Sequence, residues 1–270
     1  VGRLHDAHRQ RDARGAPVYD AAAYARIAAN IEEGHGFTVG DSATQPSSNY
    51  SPGLPLLVAG TYEATGGVHE RLARLLLALT GTLAVLFAYL IGRRLSGPAA
   101  GLIGAGAMAI YPALLEYQGM LMSEPLAATL LSGAVLAIFW AGERDGAAAW
   151  LLPGTLLGAT AMVRPEYLGV ALLLAVVVFA RSVRSDWQRG LARTLILLAG
   201  LVLVLAPWTI RNAVVLDRAV PISTGGGQVL FAGTYLPSDG DPEKVGAEVV
   251  ARHPELFAPA AARRLRLEQI

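Results

Sequence analysis

Glu124, Arg164 and Glu166 stand in stretches otherwise almost free of charge. An ionised side chain in apolar surroundings is costly, so such residues tend to mark a pathway or a site. Glu124 lies in Met122-Ser123-Glu124-Pro125, where Ser123 is placed to cap a helix with Pro125 in its first turn. A carboxylate there also simply favours a helix N-terminus. Arg164 and Glu166 are two residues apart and form a candidate loop ion pair; Glu116 is a fourth charge in the same kind of setting. Arg211-Asn212 follows an apolar run ending in Pro207-Trp208, and a guanidinium so placed can grip a phosphate bidentately. Further on, Ile222-Ser223-Thr224-Gly225-Gly226-Gly227-Gln228 offers backbone amides unobstructed by side chains, a nest suited to anionic oxygens. No Gly-Lys-Ser/Thr follows, so it is not a nucleotide P-loop. Near the N-terminus, Asp20 and Tyr24 lie four apart and share one face of an alanine-rich helix expected over 18–33, closed by Gly34 and Gly36.

The elements that must position these groups are apolar runs at 72–92, 97–115, 125–141, 147–163, 166–180 and 193–210. Each is close to the length that crosses ~30 Å of hydrocarbon as a helix. Backbone polar groups cannot stay unpaired in lipid, so repeated runs of this kind imply an all-α, polytopic transmembrane bundle of about six spans. Composition agrees: 53% of residues are hydrophobic and 16% charged. The formal net charge of +1 leaves no basic face for nucleic acid. There are no cysteines, and the five histidines lack metal-ligand spacing, so no protein metal site is expected.

Arginines set the expected orientation. Arg93, Arg94, Arg144, Arg181, Arg184, Arg189 and Arg193 fall in loops on one side, whereas the short loops opposite contribute Arg164 alone. Positive loops stay cytoplasmic, which turns the charged candidates outward. Three regions follow: an outward first loop at 1–70, a transmembrane bundle at 71–210, and an outward loop at 211–270 leading to a further span. Within the first loop, Ser51-Pro52-Gly53-Leu54-Pro55 opens a short apolar segment to about Tyr62, read as a helix lying along the membrane surface. Beyond Asp241 two helices are expected, broken at His253-Pro254. The chain reads as part of a longer bacterial plasma-membrane protein.

Several pieces, in order, resemble polytopic GT-C glycosyltransferases of the dolichyl-phosphate-mannose-protein mannosyltransferase type. They are Tyr19-Asp20 with Tyr24, Gly34-His35-Gly36-Phe37, Pro52-Gly53-Leu54-Pro55-Leu56, Arg93-Arg94-Leu95 and Tyr111-Pro112. Ser123-Glu124-Pro125-Leu126, Arg164-Pro165 and Pro207-Trp208-Thr209-Ile210-Arg211-Asn212 continue the series. Where bacterial members often carry His-Pro-Pro, this chain has Tyr50-Ser51-Pro52. The resemblance implies transfer of a sugar from a polyprenyl-phosphate donor to a cell-envelope glycan, lipid or protein acceptor on the outer face. It implies Asp20 as general base, or as the group orienting the acceptor hydroxyl, for inverting attack at the anomeric carbon. Arg164 and Arg211 would hold the donor phosphate, and Glu124 would be a second acid or a ligand for a divalent cation. The rival expectation is a transporter or lipid flippase using the same rim charges. Against it, span centres such as Leu75–Leu86 and Val170–Phe179 carry no charge. A third, a non-catalytic membrane scaffold, would let Asp20, Glu124 and Arg211 be lost freely.

Overall fold

A computed structural model describes residues 20–39, 45–183, 186–226 and 234. Tyr19, Arg184, Gly227, Gln228 and the two helices expected beyond Asp241 lie outside the described residues. Residues up to Ser223 belong to one compact unit and Thr224–Ile270 to a second.

Among the described residues the first unit is helical throughout. Helix α1, Asp20–Glu32, is alanine-rich, carries Asp20 in its first turn, and stops where Gly34 adopts φ 81°. Asn30 Nδ2 then donates to the Thr38 carbonyl (3.2 Å) and hydroxyl (3.0 Å), folding the exit segment back. Helix α2, Gly53–Thr65, packs on α1 and ends at Gly66 in the left-handed region. Both are helices where the sequence predicts them, over 18–33 and from Ser51 to about Tyr62.

The bundle follows: α3 (Glu70–Ser96), α4 (Pro98–Ala109), α5 (Pro112–Gln118), α6 (Ser123–Gly142), α7 (Leu151–Val163), α8 (Tyr167–Val183) and α9 (Trp187–Leu216). A 3-10 turn, Ala147–Trp150, leads into α7. Asp186 caps α9, its carboxylate accepting from the amides of Gln188 (3.0 Å) and Arg189 (3.1 Å). Among the described residues three helices, α3, α6 and α9, are long and apolar enough to cross a membrane. The apolar stretches Pro98–Ala109, Ala147–Val163 and Tyr167–Val183 are shorter. Only 17%, 39% and 28% of the apolar windows of α3, α6 and α9 are buried within the protein. Rows such as Leu75, Leu79, Leu83 and Leu86 therefore face outward, which is stable only against hydrocarbon. The chain is an integral membrane protein of the polytopic helical class.

The apolar run 97–115 is not continuous. Pro112 lacks an N–H and holds Tyr111 extended (φ −67°, ψ 114°), so the helix ends at Ala109 and restarts as α5. Ser123 is also not the cap of α6. Met122 occupies that position without a side-chain cap, and Ser123 stands inside the first turn with its hydroxyl turned to other partners.

Glycines set how closely the helices meet. A Cβ on Gly154 would strike the Leu197 carbonyl, and one on Gly200 would lie 2.5 Å from that of Leu151. Helices α7 and α9 thus touch backbone to backbone, as membrane helices do through small residues. The Thr129 hydroxyl lies 2.7 Å from the Thr80 carbonyl and 2.8 Å from that of Pro125, joining α6 to α3.

Candidate active site

Asp20 and Tyr24 (α1), Ser123 and Glu124 (first turn of α6), and Arg164 and Glu166 (between α7 and α8) meet at one end of the bundle. The centre is Arg164. Its Nη1 donates to Glu124 Oε1 at 2.6 Å and its Nε to Glu166 Oε1 at 2.6 Å. Nη1 also reaches Ser123 Oγ at 3.4 Å. Helix α7 ends at Val163 because Arg164 turns extended (φ −142°, ψ 110°) ahead of Pro165, which aims the guanidinium at the start of α6.

Desolvation works against the Arg164 charge, but the hydrogen bond to Glu166 and the charge of Glu124 outweigh it. Its pKa lies above the ordinary value, and the cation is permanent. Asp20 is pushed the other way from an ordinary carboxylate. Asp20 is exposed as a residue, yet partial desolvation of its carboxyl raises its pKa first, the like charge of Glu124 adds to this, and Arg164 offsets part of the rise. A carboxylate that holds its proton more tightly is a stronger base once ionised. The Tyr24 hydroxyl is hydrogen-bonded to Ser123 and is pushed up to about 12, chiefly by burial and by Asp20, so it stays neutral.

Tyr50 completes the wall. Its ring meets that of Tyr24 edge-on at 5.7 Å, and burial followed by Asp20 raises its pKa. Sequence reasoning gave Tyr50 and Ser123 no place in the site. Their signal was the one departure in the loop motif, Tyr50-Ser51-Pro52, and the hydroxyl beside Glu124.

Arg211 is engaged in a second cluster. Its Nη1 donates to the Ser47 carbonyl (2.9 Å) and to Asn212 Oδ1 (2.9 Å), and its Nη2 to the Phe37 carbonyl (3.2 Å). The guanidinium lies 4.8 Å from the Trp208 ring centroid and 5.8 Å from that of Phe37. Asn212 is fully buried and donates to the Val220 carbonyl at 2.9 Å. Trp208 buries its ring against Phe37 and donates Nε1–H to the Ile222 carbonyl at 2.6 Å. Arg211 and Asn212 thus tie α9 to the loops on either side of it. Thr224, Gly225 and Gly226 open the second unit. Glu116 is exposed on α5, without an ion pair among the described residues.

A divalent cation does not fit the residues present. Glu124 and Glu166 are both taken up by Arg164, and no three His, Asp or Glu side chains converge among the described residues.

No curated protein and no solved structure is significantly similar to this chain. The profile of one family, described as dolichyl-phosphate-mannose-protein mannosyltransferase, matches residues 49–210, which include α2 to α8, Arg164 and most of α9. With a membrane bundle that brings rim charges from separate helices to one end, the match over more than half the sequence places this chain in that family of GT-C membrane glycosyltransferases.

Proposed function

We propose that the chain moves a sugar from a polyprenyl-phosphate donor to a hydroxyl acceptor at the outer face of a plasma membrane, with inversion at the anomeric carbon. In this reading the six apolar stretches alternate across the bilayer, the second as α4 and α5 together, and the arginine-rich ends are cytoplasmic. Asp20 takes the proton from the acceptor hydroxyl as its oxygen attacks the anomeric carbon. The glycosidic bond to phosphate breaks, and the lipid phosphate leaves with the electron pair. Arg164 holds that phosphate. Its Nε and Nη1 are used by the two glutamates, while Nη2 makes no hydrogen bond among the described residues and remains for a phosphate oxygen. Glu124 and Glu166 fix the guanidinium plane, and Tyr24 with Tyr50 walls the acceptor side.

One observation carries this reading: Asp20, Glu124 and an Arg164 guanidinium held by two carboxylates converge from three separate elements. Removal of a general base costs about 10²–10⁴-fold in rate. Membranes carrying Asp20→Asn should therefore release radiolabelled sugar from polyprenyl-phosphate sugars slower by that factor than wild type, with the protein equally abundant. Equal release by both forms would move the base elsewhere, Glu124 being next.

A further inference from the structure

The opposite end of the bundle holds a second polar site. Between the end of α3, the C-terminal halves of α6 and α8, the 3-10 turn Ala147–Trp150 and the second turn of α9 lies a cavity of about 610 Å³. Glu124 and Gly142, at the two ends of α6, are separated by about 27 Å of helix at ~1.5 Å per residue, so this cavity is remote from Asp20 and Arg164. Its polar side chains are Arg181, Ser182, Arg193 and Trp150; none is anionic. Among the described residues, neither Arg181 nor Arg193 forms an ion pair, and Arg193 lies over the Trp150 ring at 5.9 Å. Trp150 is 4% exposed, and its Nε1 is buried without a hydrogen-bond partner. A buried N–H left unpaired costs about 1–3 kcal/mol, a penalty that a ligand acceptor would relieve. The remaining walls, including Phe139, Leu174 and Val178, are apolar.

Two arginines and a tryptophan with an unpaired N–H line one space, with no carboxylate among the lining residues, a set that selects an anionic oxygen group. The apolar walls beside them select a ligand with a hydrocarbon part. We propose that this cavity binds the phosphate of an anionic phospholipid, with an acyl chain along α6 and α8. Arg181 and Arg193 take the phosphate oxygens as charge-assisted donors, and Trp150 Nε1–H completes the set. Neighbouring arginines are already committed. Arg94 pairs with Glu143 and Arg144 stacks on Trp140 at 4.0 Å, so these neighbours serve as controls.

The test uses the full chain purified in detergent, titrated with phosphatidylglycerol, phosphatidylcholine or inorganic phosphate. Retained lipid is counted by native mass spectrometry, and Tm is followed in parallel. Phosphatidylglycerol should bind and raise Tm, phosphatidylcholine should not, and the Arg181→Gln/Arg193→Gln variant should bind at least about tenfold more weakly. Trp150→Phe keeps the packed ring, removes only the N–H, and should weaken binding about threefold or more. Arg144→Gln should bind as wild type does. Unchanged affinity in both the double variant and Trp150→Phe would overturn the site. Equal binding of phosphatidylcholine would overturn its selectivity for an anion. The same Tm rise with inorganic phosphate alone would make the occupant a soluble anion and overturn the lipid.

Discussion

At the scale of single residues, the candidate site makes a directional claim about pH. As the proposed base, Asp20 acts only when ionised, so the rate should fall as pH drops through its raised pKa. The acid limb of the pH–rate profile should therefore lie above that of an ordinary carboxylate. Burial is the largest cause and Glu124 the second, so Glu124→Gln removes a repelling charge and should move the limb to lower pH. Arg164 acts on Asp20 in the opposite sense, so Arg164→Gln should move it to higher pH while also lowering the rate. Tyr24→Phe should leave the limb in place, because that hydroxyl is neutral and held near 12. Profiles of the three variants, measured on one donor, check all three signs. A limb that ignores both Glu124 and Arg164 would remove Asp20 as the titrating group.

At the scale of elements, the site depends on how closely α2 meets the end of α7. A Cβ on Gly53 would lie 2.6 Å from Val163 Cγ2 and 2.8 Å from the Val163 amide, one residue before Arg164. Gly53→Ala must push α2 away or shift Val163, an overpacking cost of about 1–3 kcal/mol. Gly60, in the same helix, has nothing within 4 Å of its would-be Cβ. Gly60→Ala should be neutral or gain up to about 1 kcal/mol from helix propensity. Thermal unfolding in detergent should thus separate the two glycines, and only Gly53→Ala should slow turnover. Equal Tm values would mean that the α2–α7 contact does not set the site. Both glycines look alike in sequence, since the difference lies in a partner more than a hundred residues away. What was legible is what local physics dictates: the apolar runs, the alanine-rich α1 and its Gly34 stop, and a rim location for Glu124, Arg164 and Glu166. The break at Tyr111-Pro112 carried a local signal, a proline inside an apolar run, that hydropathy alone outweighed.

For the whole molecule, the question is what holds α1 and α2, and with them Asp20, against the bundle. Helix α2 docks on α7 through Gly53, and the segment after α1 docks on α9 through Arg211. These arginine contacts span 164 and 174 residues of sequence, which is why Arg211 reads from sequence as a free phosphate gripper. In the fold its fork is spent on two backbone carbonyls and its plane on Trp208. Arg211→Lys keeps the charge but loses the planar fork, a loss on the order of 1–2 kcal/mol in hydrogen bonding and stacking. Amide hydrogen exchange should then speed up at 37–39 and 45–50 and stay unchanged through α7. Turnover should fall because α1 is less well held, while the acid limb keeps its position, since Arg211 is not among the charges acting on Asp20. A positioning arginine predicts that combination. A phosphate-binding arginine predicts the reverse: a raised KM for the polyprenyl-phosphate donor with exchange in the loop unaltered. Exchange and KM measured on the same variant therefore decide whether α9 contributes a clamp for the loop or a ligand for the substrate.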